Sequence, residues 1–434
     1  MLDLTRKKYA ETINYHNSIG YDPKLNVIWR NNMPDIAKIF DESKYAGELI
    51  DRVDRTFMYS INFPPENGEN TGIWRSPGDN PKIREKCIDW LLHNQKKLGV
   101  DLFSLPENVQ ESHFIHIRNR IIRKGRIVSG NFLRTLSCSQ QVFKFAGKLK
   151  NVLELGGGCG HQARTWLLQV PDAKYTIVDL PETLIFSFTY LNLNFPEKKL
   201  LWVTSDEDIK KIDDYDIVFI PAVFAPQLYG RNYDLFINTA SMGEMRNETI
   251  HKWMDFVQNK VNFSYLFTLN RFLNTVDAGH ATFRANENEC STSYDHKWEI
   301  LNWELEPLYC RCPYIDTLHS RYVEIMAKRP ATENSKSLVE RSNEWLQDAM
   351  DEDWYRLQGY YSNGIMQARN NVMVNDTTMT GPLFKLWESI RLDQNVQNIS
   401  AMLTYLNRVT VGCSHHFEEK MYYEKLLSNL KKGN

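Results

Sequence analysis

The chain has no cysteine pair at CxxC spacing, no apolar run that could cross a bilayer, no excess of either charge and no repeat of fixed period. Its seven cysteines stand at 87, 138, 159, 290, 310, 312 and 413, so neither a disulfide framework nor a cysteine zinc site is expected. No uncharged apolar run reaches the roughly 18 residues of a spanning helix. The opening MLDLTRKKYAETINYHNS also lacks a cationic-then-apolar signal pattern. A cytoplasmic location without stable membrane insertion is the expectation. With 52 Lys+Arg against 54 Asp+Glu the net charge is −2, which argues against a bulk electrostatic partner such as nucleic acid. What is present is a globular composition, 42% hydrophobic and 24% charged, over 434 residues, enough for two or three compact units.

Three textures divide those residues. Residues 1–130 carry amphipathic stretches, Tyr45–Tyr59 and Ile83–Leu98 among them, around a polar loop at Asn62–Pro81, and read as a helical N-terminal section. From Asn151 short aliphatic runs appear: NVLELG, KYTIVDL, KLLWVTS, YDIVFIPA, YDLFINTA, FSYLFTLN, WEILNWELEP and RYVEIMAKR. Helical segments at Gln162–Gln169, Glu182–Leu193 and Asn247–Lys260 separate the earlier ones, which implies a mainly parallel α/β sheet covered on both faces. Residues 131–330 form that unit. Residues 331–434 show apolar positions at helical spacing (Leu338, Trp345, Leu346, Ala349, then Val396, Ile399, Met402, Leu403) and read as a helical appendage.

The strongest local signal is VLELGGGCGHQ, residues 152–162, an apolar strand running into glycines and then a helix. Removing Cβ atoms there permits a tight turn and lets a ligand lie against backbone at a helix N-terminus. Gly156, Gly158 and Gly160 alternate, and Asp179 ends the next strand 21 residues after Gly158, where a carboxylate can accept two hydrogen bonds from a ribose diol. That geometry suits S-adenosylmethionine and a nicotinamide dinucleotide alike, since residues 158–163 also satisfy GxGxxG/A. Glu154 two residues before the first glycine, the long helical sequence ahead of the motif, and two final strands joined without helical periodicity favour S-adenosylmethionine.

The trio VLELGGGCG, YTIVDLPETL and DLFINTASMGEM resembles the bacterial sugar O-methyltransferases, a class I family that uses S-adenosylmethionine and is associated with surface-polysaccharide synthesis. The match covers roughly residues 130–330. The resemblance implies an α/β, Rossmann-like methyltransferase sheet with helical additions at both ends. It assigns Glu154, Gly156, Gly158, Gly160 and Asp179 to the cofactor, places Leu180 on its adenine, and sets Ile220 and Pro221 on the far side. Whether KLLWVTS or YDIVFIPA is the third core strand stays open. The expected acceptor is a sugar hydroxyl on a nucleotide-sugar or surface-glycan precursor. The N-terminal section is reserved for acceptor recognition or dimerisation, so a homo-oligomer is compatible with this reading. Alternatives are a methyltransferase of another small metabolite, a nicotinamide oxidoreductase and a non-catalytic scaffold.

A sugar hydroxyl is a poor acid, so transfer calls for a base or a metal near the carboxyl ends of the strands. The end of DLFINTA and the residues after it bring Asn238, either a strand-end residue facing the cofactor or an ordinary loop amide, with Ser241 and Glu244 at the acceptor. Glu244 is the first candidate base; its alternative role is an ordinary acid at a helix start. His280 in TVDAGHATF is the second and His319 in DTLHSRY the third, since imidazole titrates near neutrality, although a loop histidine without a role is the commoner case. Asn270 and Arg271, at the end of SYLFTLNR, are candidates to bind the acceptor. Asp277 with His280 can hold a divalent ion, but two ligands make no metal signature and no metal is indicated. His161, after the loop, either touches the methionine carboxylate or opens the helix; the second reading is preferred. Between Glu111 and Lys150 nine Lys/Arg face a single acid, a stretch that would attract a phosphate-bearing acceptor or serve as a solvated face.

Overall fold

The computed structural model describes residues 1–22, 36–56, 81–115, 120–242, 245, 247–271, 298–306, 308, 322–329, 395–408 and 414–432. In chain order they form helices α1 (Leu2–Ile19), α2 (Ala46–Thr56) and α3 (Pro81–Lys97), then a hairpin of β1 (Ile121–Arg123) and β2 (Arg126–Val128). Next come α4 (Gly130–Ala146), β3 (Asn151–Leu155), α5 (His161–Gln169), β4 (Lys174–Asp179), α6 (Pro181–Asn194), β5 (Leu200–Trp202), β6 (Ile217–Pro221) and β7 (Asn232–Thr239). The chain continues through α7 (Asn247–Asp255), β8 (Asn262–Arg271), β9 (Glu299–Leu305), β10 (Tyr322–Lys328), α8 (Val396–Arg408) and α9 (Ser414–Lys432).

Eight strands make one sheet in the order β5-β6-β4-β3-β7-β8-β10-β9. The strands from β5 to β8 pair in parallel, while β10 runs antiparallel to both β8 and β9. β6, the run YDIVFIPA, lies beside β4 and is the third core strand; β5 is a three-residue strand at the edge. The order reverses at β3, with β4 on one side and β7 on the other, so the glycine-rich turn leaves the sheet at its switch point, where ligands of open α/β sheets bind.

The parallel strands are near-continuous aliphatic runs because both faces are covered. One face packs Leu153, Leu155, Val178, Ile220, Phe236 and Leu266 against α7 and against Ile399 and Leu403 of α8 and Tyr423 of α9. The other packs Val152, Tyr175, Ile177, Leu235, Ile237 and Phe267 against α4, α5, α6 and residues of α1 and α2. Helix α6 is apolar nearly all round, as LIFSFTYL shows, because it is enclosed between the sheet and α1. There Thr5 and Thr189 share a hydrogen bond of 3.3 Å and Trp202 Nε1 donates to Thr12 Oγ1 at 3.1 Å.

The hairpin β1–β2 differs from the purely helical reading of residues 1–130. Its strands are three residues each, too short to show a period of two, and they meet at Lys124 (φ 48°) and Gly125 (φ 79°), the two positive dihedrals that a two-residue hairpin turn demands. The described parts of 331–434 are helices, and residues 330–394 lie outside the described residues. No helix among the described residues is long and apolar enough to cross a membrane.

Candidate functional site

The turn from β3 to α5 is built from glycines with positive φ, 72° at Gly156, 52° at Gly158 and 85° at Gly160. Its neighbours explain why side chains are missing. A Cβ on Gly156 would stand 1.9 Å from Ser241 Oγ, and one on Gly157 would stand 2.7 Å from Ile177 Cγ2. A Cβ on Gly158 would meet nothing within 4 Å, so the loop is packed below and open at its centre.

Asp179 at the tip of β4 locks the open side. Its Oδ2 accepts from Gly158 N–H at 2.8 Å and its Oδ1 from Leu180 N–H at 2.7 Å. An ionised carboxylate has about four acceptor sites, so a diol can be bound while both loop bonds persist. Burial raises its pKa, opposed by the Thr183 hydroxyl and the two backbone donors. Leu180 caps α6 and is half-buried; Pro221 pairs with Asp179 across the β4–β6 ladder, and Ile220 is wholly inside the core.

Glu154 lies under the loop, 1% exposed, accepting from Tyr175 Oη at 3.0 Å, with its Oε2 3.3 Å from where a Gly157 Cβ would be. Burial pushes its carboxyl up to about 8, with the tyrosine bond acting the other way, so near neutrality it is mostly protonated. It supports the loop from beneath. Asn238, fully buried, joins three segments: Nδ2 donates to Leu155 C=O at 2.8 Å, while Oδ1 accepts from Met242 N–H at 3.2 Å and Asn270 Nδ2 at 2.8 Å. Asn270 therefore braces Asn238 from β8. The next turn contains Ala240 with φ 64°, a left-handed conformation that costs roughly 1–2 kcal/mol outside glycine and turns the chain so that Ser241 lies against Gly156.

A second polar group adjoins the loop. The His161 ring meets Tyr190 at 5.1 Å between centroids, with Nδ1 3.4 Å from Tyr190 Oη; its Nε2 is enclosed, and burial lowers its pKa to about 4. Tyr190 Oη lies 3.3 Å from Glu111 Oε1. Glu111 and Arg164, 1% and 7% exposed, stand 3.6 Å apart. Glu111 also accepts from Ser112 N–H and Ser129 Oγ, and Arg164 donates to Asn194 Oδ1 and Gln110 C=O, each at 2.8 Å. This network couples the N-terminal section to the helix after the loop. Sequence reasoning missed Glu111, Arg164, Tyr175 and Tyr190 because their partners lie 21 to 79 positions away. Arg164, the one Lys or Arg in the helix HQARTWLLQ and surrounded there by uncharged residues, was the available clue.

The structure thus brings Glu154, Gly156, Gly158, Gly160, Asp179, Leu180, Pro221, Asn238, Ser241 and Asn270 to one end of the sheet. Arg271 ends β8 at the same rim. Glu244, His280, His319 and Asp277 lie outside the described residues, in which no group of three or more His, Cys, Asp or Glu could hold a metal. Several cations of the basic stretch are engaged internally: Arg120 donates to Ile115 C=O, Arg123 to Asp89 and Glu85, Arg126 to three carbonyls, and Lys150 pairs with Asp172.

This sheet, a parallel core with an antiparallel strand inserted before the last edge and a glycine turn at its switch point, is the Rossmann-like fold of class I methyltransferases. No family model and no curated protein matches the sequence. Among solved structures, the chain is similar to magnesium protoporphyrin IX methyltransferase from Synechocystis PCC 6803 with bound SAH, at 12% identity over 45% of this chain and 81% of that one, TM-score 0.31. It is also similar to TehB from Haemophilus influenzae, at 15% identity over 44% and 61%, TM-score 0.30. A third is the mitomycin 7-O-methyltransferase MmcR, at 12% identity over 45% and 56%, TM-score 0.27. The fold assignment rests on the strand order and the turn of this chain itself.

Proposed function

We propose that the protein transfers a methyl group from S-adenosylmethionine to a sugar hydroxyl, carried by a nucleotide-sugar or a surface-glycan precursor. The observation that carries the cofactor reading is the Asp179 carboxylate at the end of β4, held by the Gly158 and Leu180 N–H groups beside the open centre of the glycine turn. The residues fit such a cofactor: Asp179 retains lone pairs for both ribose hydroxyls, Gly158 leaves room for the ligand against the backbone, and Leu180 with Pro221 offers apolar walls to the adenine.

When bound, S-adenosylmethionine supplies an activated methyl on a sulfonium. The chain's own part is to hold the nucleoside, exclude water and orient the acceptor. Asn238 and Asn270 fix the rim after β7 and β8, and the strained Ala240 directs Ser241 toward the loop, which supports an acceptor pocket there. The candidates to take the proton are those the sequence motifs offer, Glu244 first, His280 second and His319 third, with Arg271 at the end of β8 the candidate to bind a hydroxyl or phosphate. The sugar class follows from the motif resemblance, and the near-neutral charge supports a small acceptor rather than nucleic acid.

The test is calorimetry followed by turnover. S-adenosylhomocysteine is expected to bind at micromolar strength and nicotinamide dinucleotides not at all; the opposite result overturns the cofactor reading. A panel of nucleotide-sugars and other hydroxylated metabolites then tests the acceptor. Glu244→Gln or His280→Ala, assayed with and without chelator, is expected to cut turnover about 10²–10⁴-fold with cofactor affinity unchanged.

A further inference from the structure

The residues that would hold S-adenosylmethionine lie at the carboxyl end of the sheet. The opposite end carries a cavity of about 260 Å³ at the feet of β4 and β7. From Lys174 to Asp179 β4 advances five residues, about 17 Å at 3.3 Å per residue, so this cavity stands apart from the glycine turn. Lys174, Asp213, Tyr215, Arg231, Asn232 and Tyr233 are among its walls. Its size falls just below the roughly 300–1,000 Å³ of drug-sized ligand sites, so it suits a smaller molecule.

The walls are rich in unspent donors. Lys174 Nζ gives one N–H to Asp213 C=O and keeps two. Arg231 Nη1 donates to both Asp213 oxygens, at 3.0 and 3.1 Å, and Nη2 to Ile209 C=O at 3.2 Å, which leaves Nε–H and a second Nη2 proton. Asn232 Oδ1 accepts from Asn262 Nδ2 at 3.0 Å, while Asn232 Nδ2 and Tyr215 Oη have no partner among the described residues. Acceptors are fewer and already turned elsewhere. Asp213 faces Arg231, and at the same edge Asp234 accepts from Lys150 N–H and Asn151 N–H, and Asp216 from Lys199 N–H. Lys174 and Arg231 against Asp213 leave these walls a net charge of +1. Arg231 and Asp213 keep 27% and 76% of their side-chain surface in water, so a solute has access to them. Tyr233, 6% exposed and stacked on Phe263 at 5.7 Å between centroids, makes a fixed wall behind them.

We propose that this cavity at the amino end of the sheet is a second binding site, for a phosphate group carried by a small metabolite. A phosphate offers three acceptor oxygens and a charge opposite to that of the walls, whereas a carboxylate offers two oxygens and an uncharged ligand leaves the excess charge unmet. The Arg231 guanidinium is prepared for it, because Asp213 and Ile209 C=O fix its plane before the anion arrives. The site is independent of the methyl-transfer reading.

The experiment is calorimetry on the full chain at low ionic strength, with inorganic phosphate, glycerol 3-phosphate, acetate and glycerol as probes. Glycerol 3-phosphate and phosphate are expected to bind with Kd below about 1 mM, acetate more weakly and glycerol not at all. Lys174→Gln is expected to weaken the phosphate compounds about tenfold, as the loss of one charge-assisted hydrogen bond does, and Arg231→Gln by at least as much. Lys211→Gln, which removes an exposed cation outside the cavity, is expected to change nothing. Lys174 is exposed, so its variant keeps the test open should Arg231→Gln not fold. Unchanged affinity in Lys174→Gln, or an equal loss in Lys211→Gln, overturns the site. Acetate or glycerol binding as tightly as glycerol 3-phosphate overturns the choice of phosphate, and no saturable binding of any probe overturns both.

Discussion

The two faces of the central sheet are equally buried but differently made. The face toward α7, α8 and α9 is a hydrocarbon layer, with Leu153, Val178, Ile220, Phe236, Leu266, Ile325, Ile399 and Leu403 in mutual contact, and its Asn238–Asn270 pair sits at the carboxyl rim. The face toward α1, α4, α5 and α6 holds the same kind of core but threads it with polar groups: Glu154 on Tyr175, Thr135 on Thr165 at 2.7 Å, Gln162 Nε2 on Ser139 Oγ at 2.9 Å, and the Glu111–Arg164–Tyr190–His161 network. Apolar packing tolerates many arrangements, whereas buried polar atoms need particular partners in particular directions. The polar face therefore fixes the N-terminal section to the glycine turn, while the apolar face serves mainly to hold the sheet.

The largest expected break of this contrast is Arg164→Met. It leaves Glu111 buried without its cation, a loss of about 3–5 kcal/mol in urea unfolding, much of which Glu111→Gln in the same chain is expected to return. On the opposite face Ile399→Ala is expected to cost about 2–5 kcal/mol by leaving a cavity between α8 and the sheet, yet to leave S-adenosylhomocysteine affinity unchanged. An affinity change there would show that the apolar face also shapes the site. Asp179→Ala is expected to weaken the same ligand by about 1–3 kcal/mol, read by calorimetry, through the loss of the ribose and loop bonds.

A further effect is one of pH. The folded pKa of Glu154, about 8, lies above its ordinary value of 4.5, so between those limits the native state keeps a proton that the unfolded chain has released. Stability contributed by that proton is complete below about pH 4.5 and declines as pH rises toward 8. Glu154→Gln is expected to remove this decline, so that its stability relative to wild type improves from pH 5 to pH 8 in parallel denaturation curves. An unchanged slope would mean that Glu154 is ionised in the folded protein.

Much of this was legible locally. The glycine turn, the acid 21 residues later and the alternation of strands with helices are signals carried by neighbouring residues, and helices read as Gln162–Gln169 and Glu182–Leu193 form at His161–Gln169 and Pro181–Asn194. The hairpin at residues 121–128 was not legible because strands of three residues have no period to detect. Nor could the sequence order the two runs KLLWVTS and YDIVFIPA, since both are aliphatic; pairing with β4 selects the second.

By itself the sequence determined the class of the fold and the position of its turn, because strand periodicity and the need for glycine at positive φ are properties of the local chain. Only the tertiary structure decided which polar residues act together. Glu111 meets Arg164 and Tyr190, Glu154 meets Tyr175, Asn238 meets Asn270, and Thr12 of the first helix meets Trp202 from 190 positions away. A hydrogen bond in a buried site depends on angles and distances of a few ångströms, and those are set by how helices and strands pack, not by separation along the chain.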